Sequence, residues 1–377
     1  MTFPLSDATP STLGLDPRAL ERLQEMITRH LAEGRYPGAQ IAVARDGKLA
    51  LYRSFGDARL DGARTPARDD SLWLLYSNTK VITACAVWVL AEQGALRFTD
   101  RVAEHVPGFE AHGKGDITII QLLSHQGGFP NADVPKAAWE DHELLRQAVS
   151  DFTLEWTPGS RVHYHSRAAH WVAAVLIEAL SKTDYRAFIR EQIVEPLGLG
   201  DELFVGLPDA RHDRAVDMHE PGPAGQVKRA EENNADFRRA GTPGGGGYAT
   251  ARAMAAFYQM LAAGGTLAGR RLLSPRMVQY VTRSVTGKRV DGYMGMPMHR
   301  ALGPHVRGTT ETIRGLGSIA SPRTFGHGGV GSSYCWADPD SGVSFAYLTN
   351  SRIPDPWHSA RLDLISNTVH AAIPAGR

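Results

Sequence analysis

The sequence predicts an α+β fold: an antiparallel sheet built from both chain ends and flanked by helices, with a mostly helical subdomain inserted. Three observations carry this. Strand-and-turn patterns sit at both ends, helical periodicity fills the middle, and 377 residues are too many for one ordinary core but few for three. The expected division is 1–80 with 250–377 as the sheet-bearing unit and 81–249 as the helical unit with a long crossover.

Taken in order, "GAQIAVARDGKLALYRSFG" reads as two strands around Asp46-Gly47, because both flanks are rich in strand formers and Asp-Gly suits a type I′ turn. "SSYCWADPDSGVSFAYLTN" repeats the form near the other end, with Asp338 to Gly342 as the turn. Between them, "ITIIQLLSHQGGF", "HWVAAVLIEALSKTDYRAFIREQIVEPLGL" and "ARAMAAFYQMLAAGG" have helical spacing, the last two ending on Gly or Pro signals. The stretch from Asp209 to Gly247 is rich in Gly, Pro and charge and is expected to run as a surface crossover. No repeat of fixed period is present.

Composition narrows the function classes. Forty-one Lys and Arg face 40 Asp and Glu, and the signs are interleaved, which argues against nucleic acid or an anionic membrane as partner. The N-terminal segment has neither the basic nor the continuous apolar region of a secretory signal, and no apolar run reaches spanning length, so the expected compartment is the cytoplasm. Cys85 and Cys335 make no disulfide framework and read as small core residues.

The segment "YSNTK", Tyr76 to Lys80, leads into "VITACAVWVL", which is apolar almost all round. In a helix starting at Ser77, Ser77 and Lys80 share a face. Burial disfavours an ammonium and turns a lysine towards a neutral base, which is what a serine nucleophile requires. The plain alternative is a capping serine with a lysine reaching out to solvent. Of the seven lysines, only Lys80 has a serine three residues before it. "HYHSRAAHWV" adds Tyr164 in a polar loop entering an apolar helix, and "FGHGGVGSSYCW" adds His327 with two glycines at a strand edge.

Together these segments resemble the serine β-lactamase and penicillin-binding-protein superfamily, class C-like, and most closely the family VIII carboxylesterases. The resemblance rests on "DDSLWLLYSNTK", "IIQLLSHQGGFP", "PGSRVHYHSRAAHWV", "TPGGGGYATARAMAAFYQML" and "FGHGGVGSSYCWADPDSGVSFAYLTN", in the family's order over most of the chain. It implies a β-lactamase/transpeptidase-like fold with the active site between the two units. It also implies Ser77 as nucleophile, Lys80 as its base, and Tyr164 as a second proton carrier, either as a tyrosinate or in concert with Lys80. The backbone N–H groups of Ser77 and Val330, the latter after His327-Gly328-Gly329, become the oxyanion hole.

The departures are informative. Where relatives usually carry Tyr-x-Asn and Lys-Thr-Gly, this chain has Tyr164-His165-Ser166 and His327-Gly328-Gly329. A histidine with an ordinary pKa of ~6.5 is mostly neutral at neutral pH, and a neutral site favours uncharged esters, so the implied reaction is hydrolysis of carboxylic esters, short-chain or small-molecule, with β-lactam cleavage weak or absent. Acyl transfer, amide hydrolysis of the β-lactamase or D-aminopeptidase kind, and a non-catalytic binding protein are the alternatives.

No cofactor is expected. His163, His165 and His170 lack a ligand pattern and read as loop and supporting histidines, with no metal. Gly244 to Gly247 reads as a turn with special backbone angles, not a phosphate loop. The substrate pocket is expected from Tyr76, Gln126, Phe129, Ser166, Tyr248 and Trp336, with Trp139, Met294, Met296 and Met298 as further candidates. The Gly-rich stretch from Leu302 to Ser321 is expected to be a mobile loop over the site.

Overall fold

The computed structural model describes residues 3–311 and 315–374. In chain order the principal elements are β1 (Ser6–Asp7), α1 (Pro17–Ala32), β2 (Gly38–Arg45), β3 (Lys48–Arg59), α2 (Thr79–Glu92), α3 (Ala168–Ser181) and α4 (Ala251–Ala262). They are followed by β4 (His305–Val306), β5 (Phe325–Gly328), β6 (Tyr334–Asp338), β7 (Val343–Thr349) and α5 (Trp357–His370). The strands form one sheet in the order β1-β3-β2-β7-β6-β5-β4, with Thr65–Pro66 added beside β3. Both chain ends therefore meet at the β2–β7 pair, where Val43 lies opposite Phe345.

The sheet is not wholly antiparallel. β1 runs parallel to β3, with Ser6 opposite Lys48; this two-residue edge strand connects onward through α1, so no hairpin fixes its direction. The β2–β3 turn is of type I′, since Arg45 pairs with Lys48 and the two residues between, Asp46 and Gly47, have φ of 51° and 76°.

Side-chain size is sorted between the two faces. Ile41, Val43, Trp336, Phe345 and Tyr347 pack with α1 and α5 on one side. On the other, Ala42, Ala44, Ala337 and Ala346 meet α4, itself alanine-rich at Ala251, Ala253, Ala255 and Ala256. Small residues on both partners let helix and sheet approach closely, and polar links tie them: Gln40 Oε1 accepts from the Ala251 N–H at 2.7 Å and Ser344 Oγ donates to the Ala255 carbonyl at 2.8 Å. Cys85 and Cys335 are buried free thiols in this core.

Helices α1 and α5 have no counterpart among the sequence expectations. Asp16 accepts from the Arg18 N–H and Pro17 occupies the first turn, a cap-and-proline start that was legible. The Asp209–Gly247 stretch is not a plain crossover. It holds a hairpin (His219–Gly222 with Gly225–Lys228) and a helix (Ala235–Ala240), and its end is buried against α2. The Leu302–Ser321 stretch begins as fixed structure, with the Leu302 carbonyl accepting from Trp88 Nε1 at 2.9 Å and with β4 as the edge strand; its residues 312–314 lie outside the described residues. Among the described residues no helix is long and apolar enough to cross a membrane.

One buried cation joins α5 to the sheet. Arg361 is 1% exposed and donates to the carbonyls of Gly331 and Ser332 at 2.9 and 2.7 Å and to the Tyr347 hydroxyl at 3.0 Å. It also stacks over Tyr36, Tyr347 and Trp357. Removing it orphans several buried acceptors, so Arg361→Ala is expected to lower unfolding free energy in urea by about 3 kcal/mol. Arg361→Lys, lacking the planar fork, should recover only part of that.

Candidate active site

The site is built on a strained turn. Tyr76 has φ of 44°, a left-handed conformation that costs a bulky residue about 1–3 kcal/mol. Bonds on either side hold it: Leu75 N–H donates to the Gly247 carbonyl at 2.8 Å, and Tyr76 Oη donates to Glu232 Oε1 at 2.8 Å. The turn continues into a 3-10 segment, Tyr76–Asn78, which leads into α2. Ser77 therefore stands just ahead of the α-helix and is partly exposed to a cavity, while Asn78 to Leu90 are buried.

Lys80 follows one turn later. Its Nζ lies 3.1 Å from Ser77 Oγ and donates to the Gly244 carbonyl at 2.6 Å. Lys80 is fully buried; that burial, followed by the charges of Arg300 and Arg167, lowers its pKa to about 7. The capping reading of Ser77 does not hold, and Lys80 does not reach solvent.

The glycine run supplies closeness, not special angles. None of Gly244 to Gly247 has a positive φ. A Cβ on Gly244 would stand 3.2 Å from Lys80 Nζ, one on Gly247 2.7 Å from Thr79 Oγ1, and one on Gly246 2.3 Å from the Thr242 nitrogen. Side chains at these positions would push the segment off α2 and take away the carbonyl that holds Lys80.

Tyr164 enters from the loop before α3, and its N–H donates to Asp291 Oδ1 at 3.1 Å. Burial pushes its phenol up to about 12, with a hydrogen bond to Ser77 and the charge of Arg300 pulling the other way. The resting side chain is thus a neutral phenol, and the tyrosinate alternative loses its basis. Lys80 Nζ lies 5.2 Å from the ring centroid and the Arg300 guanidinium 4.8 Å. Arg300 is itself bound to buried Asp291 at 2.8 Å.

The His327-Gly328-Gly329 segment closes the site at the end of strand β5. A Cβ on Gly329 would lie 2.7 Å from the Leu75 carbonyl oxygen and 2.5 Å from Ser333 Oγ, so only glycine lets this loop lie against the turn bearing Ser77. His327 is buried and its Nδ1 is 2.8 Å from the Gly328 carbonyl. Burial, then the neighbouring His305 and the cationic groups, holds it well below the ordinary histidine value and therefore neutral.

Ser77, Tyr164, His327, Gly328, Gly329 and Val330 all line one cavity of about 620 Å³. Lys80 lies beneath its floor. The expected pocket residues fall elsewhere. Phe129 and Trp139 are core, Tyr248 is buried beside Glu232, and Trp336 stacks on His370 beneath the sheet. The Tyr76 ring is turned towards Glu232, Ser166 faces solvent, and Gln126 is held by Arg289 at 2.6 Å. Of the methionines, Met294 and Met298 line the cavity and Met296 does not.

Residues that sequence reasoning missed include Tyr293, Arg300, His305 and Arg352, all on the cavity wall. Tyr293 follows Asp291-Gly292 in the segment from which only the methionines were singled out. His165 spends both ring nitrogens on backbone, accepting from Phe129 N–H at 3.2 Å and pairing with the His163 carbonyl at 2.7 Å. His125 and His170, buried near Lys80 and Tyr164, are held neutral by burial.

Comparison with known proteins gives the family. The family model described as Beta-lactamase matches residues 23–369. The chain is 28% identical to the esterase/beta-lactamase LipL of Mycobacterium tuberculosis, over 85% of this chain and 79% of that protein. Among solved structures, a penicillin-binding protein homolog from Caulobacter crescentus superposes with a TM-score of 0.80 at 30% identity, covering 95% of this chain and 99% of that one. A family VIII carboxylesterase superposes with a TM-score of 0.82 at 27% identity, covering 94% and 98%.

A lysine kept dry is a cost to stability. Each tenfold loss of proton affinity is worth about 1.4 kcal/mol, so a fall from 10.5 to about 7 sets a ceiling of roughly 5 kcal/mol on what Lys80→Met can recover. The unfolded chain holds the lysine proton across that range and the folded chain does not. Folded wild type therefore loses stability as pH falls from about 10.5 to about 7. The advantage of Lys80→Met in urea unfolding is expected to grow over that interval and stay flat below it.

Proposed function

As the chain belongs to the beta-lactamase family of serine hydrolases, we propose that it is a carboxylesterase acting through an acyl-enzyme on Ser77. The observation that carries this is the 3.1 Å contact between Ser77 Oγ and an amine that burial brings to a pKa of about 7. Neutral Lys80 takes the Ser77 proton as Oγ attacks the ester carbonyl carbon. The oxyanion is received by the N–H groups of Ser77 and Val330, donors typically worth about 3 kcal/mol each in the transition state.

Tyr164 then gives its phenolic proton to the departing alkoxide and is reprotonated by the Lys80 ammonium, which leaves the amine neutral again. Water enters, Lys80 takes one of its protons through Tyr164, and the second tetrahedral adduct collapses to the free acid as Ser77 Oγ recovers its proton. Each group ends in its starting state. The neutral phenol fits a relay better than a permanent base.

Esters are favoured over β-lactams by His327. It stands in the motif where relatives usually carry a lysine, and burial keeps it uncharged, so the cation that receives a carboxylate next to the scissile carbonyl is gone. Acyl transfer uses the same acyl-enzyme, and the cavity of about 620 Å³ has room for an acceptor alcohol beside an acyl group. Product partition with added alcohol separates the two outcomes.

On p-nitrophenyl esters of increasing chain length, Ser77→Ala is expected to lose at least about 10⁴-fold in kcat and to resist fluorophosphonate labelling. Tyr164→Phe should lose about 10²–10⁴-fold, and a chromogenic cephalosporin should be turned over far more slowly than the esters. Full turnover by Ser77→Ala would sink the reading. For pH dependence, the ammonium form of Lys80 cannot accept the Ser77 proton, so kcat/KM is expected to rise through an apparent pKa of about 7 and then level off. A flat profile from pH ~5 to ~9 would assign the base elsewhere.

A further inference from the structure

Arg352 is a charged residue on the cavity wall that ester hydrolysis leaves without a role. It follows β7 and is clamped through the backbone on two sides. Its N–H donates to the His219 carbonyl at 2.8 Å, and the next N–H, that of Ile353, donates to the Gly331 carbonyl at 2.9 Å. A Cβ on Gly331 would stand 2.6 Å from the Ile353 nitrogen and 2.8 Å from the Arg352 carbonyl carbon. The segment is thus fixed to the loop carrying Gly329 and Val330 on one side and to the His219–Gly222 strand on the other.

The side chain contrasts with its backbone. It is exposed, lines the same cavity as Ser77, and makes no hydrogen bond or ion pair among the described residues. Other charged groups on that wall have partners, although the Ser359 donors of Asp355 are neutral and Glu220 shares Arg229 with Glu232. Arg300 is bound to Asp291, Glu220 to Arg229, and Asp355 accepts from the N–H and hydroxyl of Ser359 at 2.9 and 2.6 Å. His327, on the same wall, is held neutral by burial. Arg352 thus presents an exposed guanidinium without an ion pair on the wall of the cavity that holds Ser77. A guanidinium presents paired donors that match a carboxylate bidentately.

The geometry points to a preference for esters that carry a second, ionised carboxylate remote from the scissile bond, received by Arg352. This rests on the esterase reading above and narrows its substrate class. It differs from the recognition lost at His327, which concerned a carboxylate beside the scissile carbonyl.

The test compares kcat/KM within two matched pairs. p-Nitrophenyl hemiglutarate against p-nitrophenyl pentanoate places the charge on the acyl side. 4-Acetoxybenzoate against its methyl ester places it on the leaving group. Wild type is expected to favour the anionic member of at least one pair by about tenfold, as one charge-assisted hydrogen bond at an exposed site provides. The ratio should shrink as salt rises from about 0.05 to about 0.5 M, collapse to about one in Arg352→Ala, invert in Arg352→Glu and be partly kept in Arg352→Lys. Thermal midpoints check that each variant is folded. Equal rates within both pairs for a wild type that hydrolyses the neutral esters would overturn the inference, as would a preference that survives in folded Arg352→Ala. Wild type that hydrolyses no ester of either kind would overturn the esterase reading itself, and this inference with it.

Discussion

The structure around the site is arranged to keep one lysine out of water. Lys80 has no room to reach solvent, and the partners of its Nζ are a hydroxyl and a carbonyl, neither of which demands a positive charge. A carboxylate in place of the Gly244 carbonyl would restore the ammonium and remove the base. The nearest strong charge, Arg300, is balanced by Asp291, which also holds the backbone of Tyr164. One ion pair therefore positions the phenol and limits how far Arg300 depresses the lysine. The glycines at 244, 246 and 247 belong to the same constraint, because they bring a neutral backbone wall where side chains would stand.

A second buried cation obeys the opposite rule. Arg361 is as deeply buried as Lys80, but guanidinium does not give up its proton in a protein, so it must be satisfied as an ion. Carbonyls, a hydroxyl and aromatic faces supply that. Two of the carbonyls belong to Gly331 and Ser332, which follow Val330 directly. The same contact that fastens α5 to the sheet thus fixes the loop that lies against the Ser77 turn. Lysine and arginine are not exchangeable in these two places, since one must be able to lose a proton and the other must keep it.

Local chemistry was legible in the sequence, and long-range closeness was not. The Asp46-Gly47 hairpin, the apolar helix after Lys80, and the order of Ser77, Tyr164 and His327 were each readable because the signal is contained in a few adjacent residues. The pocket failed for the reverse reason. Phe129, Tyr248 and Trp336 have the size and polarity of pocket residues, and only the packing of distant segments shows that they are core. Arg352 and Tyr293 lie on the cavity wall through contacts with residues far away in the chain, and no local pattern marks them. The glycine run was recognised as structural, but its reason lies in what Thr79, Thr242 and Lys80 place beside it, which sequence spacing alone does not reveal.

The exposed position of Arg352 has a physical logic. A cation placed against Lys80 would lower the lysine pKa further and weaken it as a base. The same cation at a solvent-facing wall acts on the lysine through high dielectric and salt, where the effect of a unit charge is a fraction of a kcal/mol. His327, buried and held neutral, adds no charge beside Lys80. Arg352, exposed on the cavity wall and absent from the charges that depress Lys80, offers a handle for an anionic group without disturbing the lysine.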